Sequence, residues 1–120
     1  MKKTLIFTTL TTLISCNFSD KIEKIPDGYE IIYEGGNQNR LMKNNELIID
    51  SGLVECKFKK DYLLISVDTT YSMHPEKLDK RNLKYFIQNI KKDSNIKKIS
   101  YSTLQKIINE KSLNEIDITK

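Results

Sequence analysis

The apolar positions of this chain recur mostly with the short period of a β-strand. LVECKFK, residues 53–59, alternates: Leu53, Glu55, Lys57 and Lys59 fall on one side, Val54, Cys56 and Phe58 on the other. Successive strand side chains leave opposite faces, so this predicts a half-buried strand with a mostly charged outer face. Lys60-Asp61 reads as a turn into YLLISVD, 62–68. That run is apolar on both faces, which places it centrally in a sheet. Upstream, YEIIYE (29–34), Arg40-Leu41-Met42 and ELIID (46–50) are rich in β-formers. PDG (26–28), GGNQN (35–39), Lys43-Asn44-Asn45 and Ser51-Gly52 separate them as turns. Strands and turns alternating at under a dozen residues predict an antiparallel meander.

The second half is more mixed. TTYSMHPEKLDKRN, 69–82, is a polar excursion. Pro75 opens one short helical turn there, with Glu76 and Lys80 paired four apart. LKYFIQNI, 83–90, fits both periods; its aromatic and β-branched content favours a strand. KKDSN, 91–95, is a turn. Ser102-Thr103-Leu104-Gln105 matches a capping box with Ser102 at the N-cap, and Leu104, Ile107 and Ile108 follow at helical spacing. A helix over 103–111 is predicted, its apolar stripe against the sheet. Leu113, Ile116 and Ile118 add a last packed segment. The expected fold is α+β: a small antiparallel meander of about five to six strands with one C-terminal helix packed on it.

The first residues do not belong to that pattern. MKKTLIFTTLTTLISC begins with two lysines and continues uncharged from Thr4 to Ile14. That length suits the apolar core of an export signal and falls short of the roughly 20 residues a spanning helix needs. Leu13-Ile14-Ser15-Cys16 then resembles the bacterial lipobox: aliphatic at −3, small at −1, cysteine at +1. The resemblance implies cleavage between Ser15 and Cys16 and a lipid on the Cys16 thiol. Each buried methylene contributes about 0.8 kcal/mol, so two or three chains hold a protein to a bilayer without a spanning segment. Asn17 lacks the charge that retains enteric lipoproteins at the inner membrane, which favours the outer membrane where the host has one. The expected layout is a signal peptide over 1–15, a lipidated tether over 16–26 and a single small domain over 27–120.

Composition narrows the reading. Without residues 1–15 about 105 remain, enough for one small domain. Lys2 and Lys3 are two of the 20 basic residues, and the leader holds none of the 16 acidic ones. The net charge therefore falls from +4 to about +2 on cleavage. A basic precursor is then weak support for nucleic-acid binding, and none is expected. With Cys16 carrying lipid, Cys56 stands alone and an intramolecular disulfide is not available.

The lipobox, the IPDGY start, the FKKDYLLISV hairpin, the YFIQNIKKDSN strand and turn and the SYSTLQKII helix together resemble a family of small uncharacterised bacterial lipoproteins that carry a domain of unknown function. The resemblance covers most of the mature chain. It implies a small sheet with a terminal helix and a strand at 83–90. It brings no catalytic residues.

Candidate chemistry is sparse. His74 is the only histidine and sits in a polar loop; a triad would need Ser66 or Ser72 brought to it by the fold. Cys56 lies on the apolar side of its strand, where a free cysteine acts as a small hydrophobe. A reactive thiol needs exposure and positive neighbours; Lys57, Lys59 and Lys60 are close in sequence, but the first two point away. Asp50, Asp61 and Asp68 are scattered at turns, and no metal or cofactor is expected. GGNQN lacks the lysine and following helix of a phosphate loop. Lys91-Lys92 and Lys97-Lys98 form a basic patch able to attract an anionic headgroup or an acidic partner.

These features favour a non-enzymatic envelope protein, held to the membrane through lipid on Cys16, that binds an unidentified protein. One variant is an immunity protein that blocks a toxin. A lysozyme inhibitor fits less well, because a basic target calls for an acidic inhibitor. An envelope assembly or structural factor is the alternative, and a small enzyme built around His74 ranks below both.

Overall fold

Among the described residues the chain forms eight strands, and left-handed backbone at Asp27-Gly28, Asn44-Asn45 and Lys60-Asp61 sets three of the tight turns between them. The computed structural model describes residues 21–120. Cys16, the cleavage site beside it and the first part of the expected tether lie outside those residues. Strands β1 (Lys21–Ile25), β2 (Tyr29–Tyr33), β3 (Arg40–Lys43) and β4 (Glu46–Ile49) form one antiparallel sheet in sequential order. Strands β5 (Leu53–Lys59), β6 (Tyr62–Val67), β7 (Lys84–Asn89) and β8 (Lys97–Ile99) form a second, also sequential. Helix α1 (Tyr101–Glu110) follows. Asn44-Asn45 and Lys60-Asp61 both have positive φ at the two central positions, which matches the twist of flanking strands in a two-residue hairpin.

The packing is three layers. Tyr29, Ile31 and Leu41 of the first sheet meet Leu53, Cys56, Leu63, Ile65 and Val67 of the second in one core. On the second sheet's other face, Leu64 and Tyr85 meet Leu104 and Ile108 of α1, with Leu113 and Ile118 of the tail. Strand β6 therefore buries both faces, as its doubly apolar sequence predicts. The strand at 83–90 and the packed tail are as expected.

Several expectations are corrected. Among the described residues the strands number eight rather than five or six, and they form two sheets rather than one meander. Residues 21–25, expected as tether, are β1: Ile22 pairs with Ile32 and Lys24 with Glu30. Strand β8 lies in a stretch with no predicted element. The strict alternation of 53–59 breaks at a bulge between Leu53 and Glu55. The extra residue reverses the parity, so Leu53 joins the same core as Cys56 while Val54 packs on the helix side. Helix α1 starts two residues earlier than predicted. Ser100, not Ser102, is its N-cap, accepting from the Thr103 N–H at 3.2 Å. Pro75 does open a 3-10 turn over Pro75–Lys77, but Lys80 pairs with Glu55 at 2.8 Å, not with Glu76.

The strands give the sandwich two ends. At one, the chain enters β1 at Lys21 opposite Tyr33. The 35–39 turn, Asp50–Gly52 and the loop after β6 share this end, because the Gly52 N–H donates to the Asn37 carbonyl and the Asp68 N–H to that of Gly52. At the far end lie the turns at 26–28, 44–45 and 60–61 and the 90–96 loop. The Asn44 N–H donates to the Gly28 carbonyl and the Ile90 N–H to that of Asp61.

Candidate functional site: a lysine-lined groove

The far half of the second sheet and α1 leave a groove of about 380 Å³ between them. Its apolar lining has a structural origin. Ile87 of β7 and Ile99 of β8 face the helix, and Ile107 is the half-buried flank of the α1 stripe. β8 spans only three residues, too short to cover the sheet beneath α1 completely. Tyr62 of β6 and Asn89 of β7 extend the lining towards the turns.

The charges around it come from the 90–96 loop and β8. Lys92, Lys97 and Lys98 are exposed and line the groove with a single carboxylate, Asp93. That carboxylate is committed to local structure. It accepts from the Asn89 N–H at 3.2 Å and from Lys97 Nζ at 3.1 Å. The backbone donor first, then Lys97, hold its pKa below the ordinary carboxylate value. Lys92 and Lys98 have no carboxylate within 4.0 Å among the described residues. The site therefore offers an apolar depression beside two unpaired ammonium groups. It suits a side chain with an apolar body and an acidic neighbour. The β8 edge is open, but a three-residue strand carrying lysines is a form that discourages strand addition. Side-chain insertion suits this site better than β-pairing.

Under the groove a buried polar link fixes the far end of the two sheets. Gln88 is fully buried. Its side-chain oxygen accepts from the Tyr29 hydroxyl of the first sheet, and its amide donates to the Asp93 carbonyl at 2.9 Å. Lys43 lies 4.9 Å over the Tyr29 ring and donates to the Ser94 carbonyl at 3.3 Å. The loop that carries Asp93 and leads to Lys97 is thus tied to the core from both sides. Gln88 escaped the sequence reading; a lone glutamine on the inward face of a strand is the signal that marks it.

The other candidates separate. His74 is exposed and sits 3.5 Å from the Glu76 carboxylate. Ser66 is buried, with its hydroxyl accepting from the Glu55 N–H, and Ser72 Oγ accepts from the His74 backbone N–H. These contacts bring no nucleophile to the imidazole. Cys56 is buried, and burial, with the nearby Glu23 charge, pushes its thiol pKa up to about 12. Asp68 is buried at the end of β6, bonded to Thr70 and Ser72; Asp50 and Asp61 belong to other turns. Among the described residues no three His, Cys, Asp or Glu side chains gather as metal ligands. GGNQN forms a 3-10 turn, Gly36–Gln38. Among the same residues no helix is long and apolar enough to cross a membrane. No family model, curated protein or solved structure matches the chain.

Proposed function

We propose that this chain is a lipid-anchored protein of the bacterial cell envelope that acts by binding another protein rather than by catalysis. Cleavage before Cys16 and acylation of its thiol supply the anchor, as the lipobox pattern implies. The carrying observation for the binding role is the position of the groove. Lys21, five residues after Cys16, enters at one end of the sandwich, and Lys92 and Asp93 lie at the other. A domain tethered through Cys16 would hold the groove away from the bilayer, open to a partner. The partner is an acidic segment with an apolar anchor residue. A toxin blocked at the envelope and a component of an envelope assembly both fit that chemistry.

The test is photo-crosslinking in intact cells from a reactive residue at position 98. A discrete adduct should form with the full-length protein. Reversing Lys92 and Lys97 to Glu should weaken it several-fold, because rim charges steer association and set specificity. Lys24→Glu, on the outer face of the first sheet, should leave it unchanged. An adduct indifferent to the Lys92 and Lys97 reversals would contradict the groove as the binding site.

A further inference from the structure

Four large apolar side chains are exposed among the described residues: Ile22, Leu47, Tyr71 and Met73. Three of them are at the end where the chain enters. Ile22 is the second residue of β1, and Tyr71 and Met73 are in the loop after β6. Leu47, beside the Asn44-Asn45 turn, is at the far end. Tyr71 and Met73 are each 73% exposed, the most exposed of the four.

This loop is built, not loose. The Asp68 carboxylate caps its start, accepting from the Thr70 N–H at 2.8 Å and the Ser72 N–H at 2.9 Å. Tyr71 is held at φ 57, a conformation that bulky side chains rarely adopt. Its carbonyl accepts from Asn37 Nδ2 at 3.0 Å, which fastens the loop to the 35–39 turn. Strained backbone, capping and a cross-loop bond hold an aromatic ring and a thioether out in water. Burial on folding does not explain that arrangement.

Covalent geometry supplies the surface they would meet. Lys21 is five residue steps along the chain from Cys16, and a chain spans at most about 3.6 Å per step, so Lys21 lies within about 18 Å of the acylated residue. We propose that Tyr71 and Met73 are a second membrane contact, seated at the headgroup level of the bilayer that holds the lipid on Cys16, so that the domain stands on its entry end with the lysine-lined groove facing outward. The inference rests on the anchored reading above. Tyrosine is suited to this position, because its ring is apolar and its hydroxyl stays wet. The lining beside Tyr71 includes Glu34, Arg40 and Asp50, a mixed set, so the contact is apolar and not directed to anionic lipid.

The chain has no tryptophan, which makes a single-probe test direct. Full-length protein carrying Tyr71→Trp, Met73→Trp or, at the far end, Asn95→Trp is purified with its native N-terminus. It is reconstituted in phosphatidylethanolamine vesicles doped with lipid brominated near the headgroup. Mass spectrometry reads the acyl groups on Cys16, and circular dichroism reads folding. Quenching at positions 71 and 73 should exceed that at 95 several-fold and persist at high salt. Acylated, folded protein with equal quenching at all three positions overturns the loop contact alone and leaves Tyr71 to a protein partner. Loss of quenching at 71 and 73 in high salt overturns its apolar character. A chain without acyl mass overturns the anchor, and the inference with it.

Discussion

Asp68 sits at the junction of the two sheets, where its N–H donates to the Gly52 carbonyl and its carboxyl is under opposing effects. It is 3% exposed, and burial alone pushes its pKa up. Hydrogen bonds from Thr70 and Ser72 outweigh that and set it below the ordinary 3.8. A carboxyl with a lowered folded pKa contributes stability that is present above its unfolded pKa and lost as pH falls through the folded one. The wild type should therefore lose stability below about pH 4 more steeply than Asp68→Asn, with the two curves converging in acid. Urea melts between pH 2 and 7 check this; parallel curves would contradict it. Gly52 shows why this junction is close. It has φ +80, and a Cβ there would stand 2.1 Å from the Asp68 carbonyl oxygen. Only glycine lets the chain turn from the first sheet into the second at that distance.

At the scale of elements, the helix start separates pattern from geometry. The Ser102–Gln105 spacing satisfies a capping box, yet Ser100 caps α1. Short β8 ends at Ile99, so the chain is free to turn into the helix two residues sooner. Ser100→Ala should then cost about 1 kcal/mol, the usual value of an N-cap. Ser102→Ala, exposed inside the first turn, should change stability little or raise it slightly, since alanine is the better helix former. Chemical denaturation of both variants decides between the two caps.

The same contrast explains how much the sequence carries. β6, the hairpin turns, the strand at 84–89 and the tail were legible because burial on one or both faces leaves a period in the sequence. β1 was not: KIEKI is mostly exposed at a sheet edge, so its residues are as polar as a tether's. β8, also an edge strand, was hidden for the same reason. The bulge at Leu53–Glu55 was invisible because a bulge preserves composition while reversing parity. The division into two sheets depends on long-range packing, with Tyr29, Ile31 and Leu41 sharing one core with Leu63 and Ile65, and strand order in a sequence cannot express that. For the groove, Lys92, Lys97 and Lys98 were visible as a basic patch. Its apolar floor was not, because Tyr62, Ile87, Ile99 and Ile107 come from four elements.

At the scale of the whole molecule, the sandwich has a proposed direction: anchor and apolar loop at one end, charged groove at the other. Everything in that direction depends on Cys16, so the decisive measurement is metabolic labelling with an alkyne fatty acid. Full-length protein and its Cys16→Ala variant would be expressed in bacteria and read by gel after fractionation. Label is expected on the wild type alone, in the membrane fraction, with the precursor accumulating in the variant. Absence of label from a wild type that is cleaved and released would contradict the anchored reading.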